Sequence, residues 1–203
     1  MFLNRTVFVV DDDANLTASV CALASSMGCR AQGFASAEEF LTNYVAGDRG
    51  VVVVDLRMPG MSGLALQEEL SRRKSHLPVV ILTAYARTPT TVRAIQAGAV
   101  TMIDKPYHDD DLWDAIRTAL EKEEAAWTAD RRRREIRDRL SALTAEERRV
   151  MELIVEGRPN KVIAKELGLA VRTVEKRRHK VLAKMEARSL AELVELAIEA
   201  RNL

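Results

Sequence analysis

Several things are scarce or missing in this chain of 203 residues, and each absence removes a class of protein. It holds only two cysteines, Cys21 and Cys29, with no Cys-x-x-Cys pair and no Cys/His cluster, so neither a disulfide framework nor a thiolate metal site is expected. A reducing, cytoplasmic compartment is the expectation that follows. No apolar run approaches the roughly 20 residues that cross a bilayer. The stretch from Met1 to Val10 runs straight into three aspartates, unlike a signal peptide. A soluble, intracellular protein without a membrane partner is expected. Internal repeats and low-complexity tracts are also absent, apart from the run Arg131 to Arg134. Between Leu112 and Leu140 there is neither proline nor glycine, so nothing there stops a helix.

Net charge is close to zero, at +1, but it is unevenly spread. Residues 1–120 hold 11 basic and 14 acidic side chains, whereas residues 121–203 hold 20 and 16. Between Arg158 and Lys184 nine basic residues face two acidic ones. That concentration points to a polyanionic partner for the C-terminal part, the competing account being a solvated helix face.

The length suits two domains. In the first part, short β-branched runs at Thr6 to Val10, Val51 to Asp55, Pro78 to Leu82 and Val100 to Ile103 show little polar alternation, as expected of parallel strands covered on both faces. A weaker strand is expected near Cys29 to Phe34. Helical stretches separate them, at about Ala14 to Met27, Ser36 to Val45, Gly63 to Lys74 and Pro89 to Ala97. The order (βα)5 predicts a doubly wound α/β domain over residues 1–122. Its fifth helix, from about Asp109, has no stop and predicts a helical linker over 123–140, sparsely apolar at Ile116, Leu120, Trp127, Ile136, Leu140 and Leu143. Residues 141–203 read as a smaller all-α domain of four helices. Thr144 and Glu147 have capping-box spacing, and Asn160 is expected to cap the helix that follows it.

In open parallel sheets reactive groups gather beyond the carboxyl ends of the strands. Asp11 and Asp12 follow the first strand, Asp55 ends the third, Thr83 follows the fourth and Lys105 follows the fifth. Three carboxylates in one cleft call for a hard cation, and an all-oxygen, partly hydrated site suits Mg²⁺. Such a metal would make Asp55 usable as a nucleophile toward phosphorus, with Lys105 and Thr83 meeting the phosphate oxygens.

The segments VVDDD, VVVVDLRMPGMSG, ILTAYA, AGA and DKPY together resemble the receiver domain of two-component response regulators, over roughly residues 4–122. The resemblance implies that Asp55 is the phosphoacceptor and that Asp11, Asp12, Asp55 and the backbone carbonyl of Arg57 hold Mg²⁺. Thr83 and Lys105 are then the switch residues, and the Lys105–Pro106 bond is expected to be cis. One position departs from the family: Met102 stands where receivers commonly carry an aromatic ring that couples to Thr83. Arg57 and Tyr85, each two residues beyond a site residue, are expected to overhang the pocket and shield the acyl phosphate from water.

In the second part, Val162, Ile163 and Leu167 are expected to face inward from one helix, and Val174, Val181, Leu182 and Met185 from the next. That leaves Glu175, Lys176, His179 and Lys180 on one outward face, where lysine reads guanine acceptors and glutamate a cytosine amino group. LTAEERRVMELIVEG, NKVIAKELGLAVRTVEKRRHKVLAKM and RSLAELVELA resemble the LuxR-type helix-turn-helix of NarL/FixJ response regulators. By that resemblance Glu175, Lys176 and His179 face bases, while Lys161, Arg172, Thr173, Arg178 and Lys180 lie near phosphates. The partners it implies are a sensor histidine kinase, promoter DNA, a second copy of the chain on activation, and RNA polymerase. Two other readings remain open: a Mg²⁺-dependent phosphohydrolase, and a phosphorylation-independent DNA-binding protein whose receiver only dimerises.

Overall fold

The computed structural model describes residues 4–84 and 88–201. Two compact units divide the chain, residues 1–127 and 128–203.

The first unit alternates strands and helices: β1 (Thr6–Val10), α1 (Ala14–Ser26), β2 (Arg30–Phe34), α2 (Ala37–Asn43), β3 (Gly50–Asp55), α3 (Gly63–Arg72), β4 (Val79–Thr83), α4 (Thr88–Gln96), β5 (Thr101–Asp104), and the start of α5 (Asp109–Ser141). All strand pairs are parallel, in the order β2-β1-β3-β4-β5. Successive side chains of a strand point to opposite faces. Here both faces are covered, which is why the strands lack polar alternation. Phe8, Val10, Val52, Val54 and Ile81 pack with Phe40 of α2, Leu66 and Leu70 of α3 and Ala94 of α4. Val7, Val9, Val51, Val53, Val80 and Leu82 pack with Val20 and Ala24 of α1 and with Leu112, Ile116 and Leu120 of α5.

Asp13, Ser36 and Ser62 cap α1, α2 and α3 by accepting their first backbone amides. Residues 123–127, expected in the linker, are held by the first unit. Buried Glu123 accepts from Arg5 Nε and Arg49 Nε, both at 2.8 Å, and the Arg49 guanidinium lies 4.5 Å from the Trp127 ring centroid.

The second unit contains the end of α5 followed by α6 (Ala145–Val155), α7 (Asn160–Leu167), α8 (Val171–Lys184) and α9 (Leu190–Arg201). Its core joins Ile136, Leu143, Val150, Leu153, Ile154, Ile163, Val174, Val181, Met185, Leu193 and Leu196. Ile136 therefore belongs to the second unit's core. Thr144 and Glu147 form the capping box expected of them, and Lys184 Nζ adds a bond to Glu147 Oε2 at 2.6 Å. The carboxyl of Glu147 is held below its ordinary range, first by Lys184 and then by the Thr144 amide.

Two local expectations need correction. The cap of α7 is Pro159, not Asn160, because proline's fixed φ of −65° suits the entry while the Asn160 side chain is engaged elsewhere. Val162 is exposed, and Ala164 takes the inward position beside Ile163.

Candidate functional site

Strand register assembles the pocket. Val10 pairs with Val54, so Asp11 and Asp55 stand level at the ends of neighbouring strands. Asp55 pairs with Leu82 and Thr83 with Asp104, which carries Thr83 and Lys105 to the same rim. Asp11, Asp55 and Thr83 are 3 %, 8 % and 2 % exposed. Lys105 Nζ spans the two carboxylates, 2.8 Å from Asp11 Oδ2 and 2.5 Å from Asp55 Oδ1. Backbone amides take remaining oxygens: Asp13 donates to Asp11 Oδ1 at 2.9 Å and Arg57 to Asp55 Oδ2 at 2.6 Å. Burial by itself pushes the Lys105 ammonium down, but hydrogen bonds to Asp11 and Asp55, with their charges, outweigh it and leave the pKa raised above that of an ordinary lysine.

The backbone completes the rim. The Lys105–Pro106 bond is cis, as expected, and the Lys105 amide donates to the Thr83 carbonyl at 2.7 Å. Asp12 is exposed, lining a groove of about 350 Å³ between α1, β2 and α2. The three-carboxylate cluster expected from the sequence is thus reduced to two buried carboxylates. Among the described residues no three acidic, His or Cys side chains converge as a metal group. What converges is two carboxylates on one lysine, and carboxylate oxygens suit a hard cation that keeps several waters and takes one or two carboxylates. Met102 packs at the edge of the core beside α4, its Sδ 3.4 Å from Thr91 Oγ1. Arg57 is exposed, and Tyr85 lies outside the described residues.

Gly63 is a site residue that the sequence reading passed over. A Cβ there would lie 2.3 Å from the Asp55 carbonyl oxygen, so α3 can start against the end of β3 only with glycine at this position. Its signal was the glycine just after a capping serine in MSG, easily read as an ordinary turn.

In the second unit, α8 presents Arg172, Glu175, Lys176, His179 and Lys180 along one shallow groove of about 440 Å³. All five side chains are exposed, as is Lys161 of α7, and Thr173 is half-buried. Among the described residues none of Lys161, Arg172, Lys176 and Lys180 is in an ion pair. Their neighbours on the helix are engaged: Arg177 pairs with Glu146, and Arg178 Nη1 donates to Asn160 Oδ1 at 3.1 Å. Arg178, expected near a phosphate, thus spends one of its donors on joining α7 to α8. Arg172, Lys176 and Lys180 lie together with Glu175 and His179 on the exposed face of α8, a helix of a kind that can enter a major groove.

A five-stranded parallel domain with buried carboxylates and a lysine at its strand ends, followed by a helix-turn-helix with an exposed basic face, defines a signalling receiver joined to a DNA reader. Comparison with known proteins makes this specific. Residues 7–117 match the response regulator receiver domain, and residues 141–197 match the luxR family of bacterial regulatory proteins. The chain is 39% identical over 191 residues to nodulation protein W of Bradyrhizobium diazoefficiens, covering 94% of this chain and 84% of that one. It is 39% identical over 192 residues to the transcriptional regulatory protein FixJ of Azorhizobium caulinodans, covering 95% and 91%. Among solved structures it is similar to the response regulator StyR, with a TM-score of 0.92, 39% identity and coverage of 97% and 99%. Full-length FixJ from B. japonicum gives a TM-score of 0.57 at 36% identity, covering 98% of each chain.

The chain belongs to the response regulators of the NarL/FixJ type, in which a receiver domain is joined to a LuxR-type DNA-binding domain. It is a phosphorylation-dependent, DNA-binding regulator of transcription in a two-component system rather than an enzyme of the ordinary kind. Receivers of this family bind Mg²⁺ at the acidic phosphorylation site and are served by histidine kinases. No helix among the described residues is long and apolar enough to cross a membrane.

Proposed function

We propose that Asp55 accepts a phosphoryl group from a partner histidine kinase, and that a change in the receiver, residues 1–122, passes through the helical segment 123–140 to the DNA-binding module, residues 141–203. The observation that carries this reading is Lys105 Nζ between Asp11 and Asp55, a cation held where phosphate oxygens would develop. A carboxylate oxygen of Asp55 attacks the donor phosphorus. A new O–P bond forms while the bond to the donor's histidine nitrogen breaks, and the imidazole keeps that electron pair and takes a proton. Lys105 then exchanges an Asp55 oxygen for a phosphate oxygen, and the Thr83 hydroxyl donates to another. Asp11, Asp12, Asp55 and the Arg57 carbonyl would hold Mg²⁺, directly or through water, and bound there it would neutralise charge on the phosphoryl group. The receiver performs the transfer and the later hydrolysis on itself.

On the DNA, Glu175, Lys176 and His179 would meet bases, and Lys161, Arg172, Thr173, Arg178 and Lys180 phosphates. Two copies of the phosphorylated chain would occupy adjacent half-sites of a promoter and contact RNA polymerase, all in the cytoplasm. The test is Asp55→Asn. Labelling with acetyl phosphate and Mg²⁺ is expected to vanish, together with the gain in promoter affinity expected of the wild-type chain on labelling. Equal labelling of the two proteins would sink the assignment.

A further inference from the structure

Among the described residues, Gln67 carries the buried side-chain atom that has no hydrogen-bond partner. It sits in the middle of α3, 2 % exposed; its Nε2 donates to the Ala94 carbonyl of α4 at 3.2 Å, while Oε1 has no hydrogen-bond partner among the described residues. The Ala94 carbonyl already accepts the Ala99 amide at 3.0 Å. Gln67 is therefore not needed to satisfy the backbone of α4; what it adds is a tie between α3 and α4. A buried polar atom left unmet in a native protein needs such an explanation.

Two observations give the tie a role. First, the described side chains of α4 are mostly exposed. Of residues 91–96 only Ala94 is buried, while Val92 and Ile95 are each 47 % exposed. Second, the same face of α3 leads back to the acidic pocket. Gly63 lies one helical turn before Gln67, at i and i+4, and it abuts the Asp55 carbonyl so closely that a Cβ would stand 2.3 Å away. One rigid helix face thus touches the end of β3 at one point and α4 at the other.

We propose that Gln67 is a positioning residue for α4, and that the α3 face from Gly63 to Gln67 carries a change at Asp55 to α4. The proposal rests on the reading of Asp55 as phosphoacceptor. Physically, a buried amide makes the positions of α4 discrete: the helix either keeps the Nε2 bond or leaves both amide groups of Gln67 unmet. The empty Oε1 offsets part of what that bond contributes, so α4 is held without being locked. This route does not require an aromatic ring to rotate at position 102, where this chain has methionine.

Gln67→Met keeps the length and bulk of the side chain and removes both amide groups. In the full-length protein, amide hydrogen exchange at residues 91–99 should accelerate about tenfold, with exchange in β3 and α3 unchanged. Labelling of Asp55 by acetyl phosphate should become severalfold faster, because it draws on a population from which α4 has already moved. Gln67→Asn, whose shorter amide cannot reach Ala94, should do the same and serves if the methionine variant does not fold. Unchanged exchange at residues 91–99 in a folded variant overturns the tie. Faster exchange with unchanged labelling overturns the coupling to Asp55. A wild-type chain that takes no label defeats the phosphoacceptor reading and the coupling with it, while the exchange measurement still decides whether Gln67 holds α4.

Discussion

In the first unit the chemistry lies inside: Asp11, Asp55 and Thr83 are buried, and a lysine spans the two carboxylates. In the second, the residues of interest stand in solvent, with Arg172, Lys176 and Lys180 outside any ion pair among the described residues. The contrast follows from the two tasks. Forming a covalent bond to phosphorus needs charges that are desolvated and pre-positioned, so their removal disturbs the fold around them. Reading a nucleic acid needs cations that can exchange water and counterions for phosphates and bases, so their removal disturbs only the complex. Capping differs between the helices that carry the two sites. α3, which starts at the pocket, is fastened by Ser62, whereas α7 and α8 begin at Pro159 and Ala170 with no side-chain cap.

The sharpest way to break this comparison is to remove one lysine from each unit. Lys105→Met leaves two buried carboxylates facing each other, and in Mg²⁺-free buffer it should destabilise the first unit by about 3 kcal/mol. Lys176→Ala should leave stability within about 0.5 kcal/mol while costing about 1–3 kcal/mol of discrimination between DNA sequences. Calorimetric unfolding and a gel-shift series on matched and mismatched sites measure the two effects. If both substitutions unfold the chain equally, the distinction is lost.

A second substitution tests where one unit ends. Ile136→Ala, in α5 but within the second unit's core, should cost at least about 2 kcal/mol. The loss should fall on the second unit alone. A matching loss of amide protection around Val53 and Val54 would show that the units do not melt separately.

Smaller effects refine the comparison at the start of α6. Thr144→Ala should cost the second unit about 1 kcal/mol, read from its denaturant midpoint. Its partner Glu147 adds a pH dependence whose sign is set by the folded pKa, which lies below the ordinary carboxylate value of about 4.3. The stabilisation is complete above that value and is lost as pH falls through the depressed folded pKa. Glu147→Gln should flatten the acid limb of the second unit's stability curve and leave that of the first unit unchanged. An unaltered acid limb would mean that Glu147 contributes no linkage.

Much of the architecture was legible because the relevant signals are local. Four β-branched runs without polar alternation announce strands covered on both faces, and Thr144 with Glu147 announces a helix start. Asp55, Thr83 and Lys105 could be placed at one rim because they directly end or follow strands, where parallel sheets collect their chemistry. The misses were residues whose surroundings come from elsewhere in the chain. Asn160 reads as a cap until the Arg178 guanidinium, 18 residues on, takes its oxygen. Glu123 and Trp127 read as linker because their partners, Arg5 and Arg49, lie far back in the chain.

The sequence by itself determined that a receiver is followed by a DNA reader, since strand ends, caps and the outward face of a helix are set by neighbours in the chain and by short periodicities. Only the tertiary structure decided which carboxylates share the lysine. Register brings Asp11 level with Asp55 and turns Asp12 outward, because a residue just past a strand end takes its direction from the sheet. It also decided that Gln67 holds α4 by half of its amide, since burial and an unmet oxygen are properties of a packed interface and have no signature in a single helix.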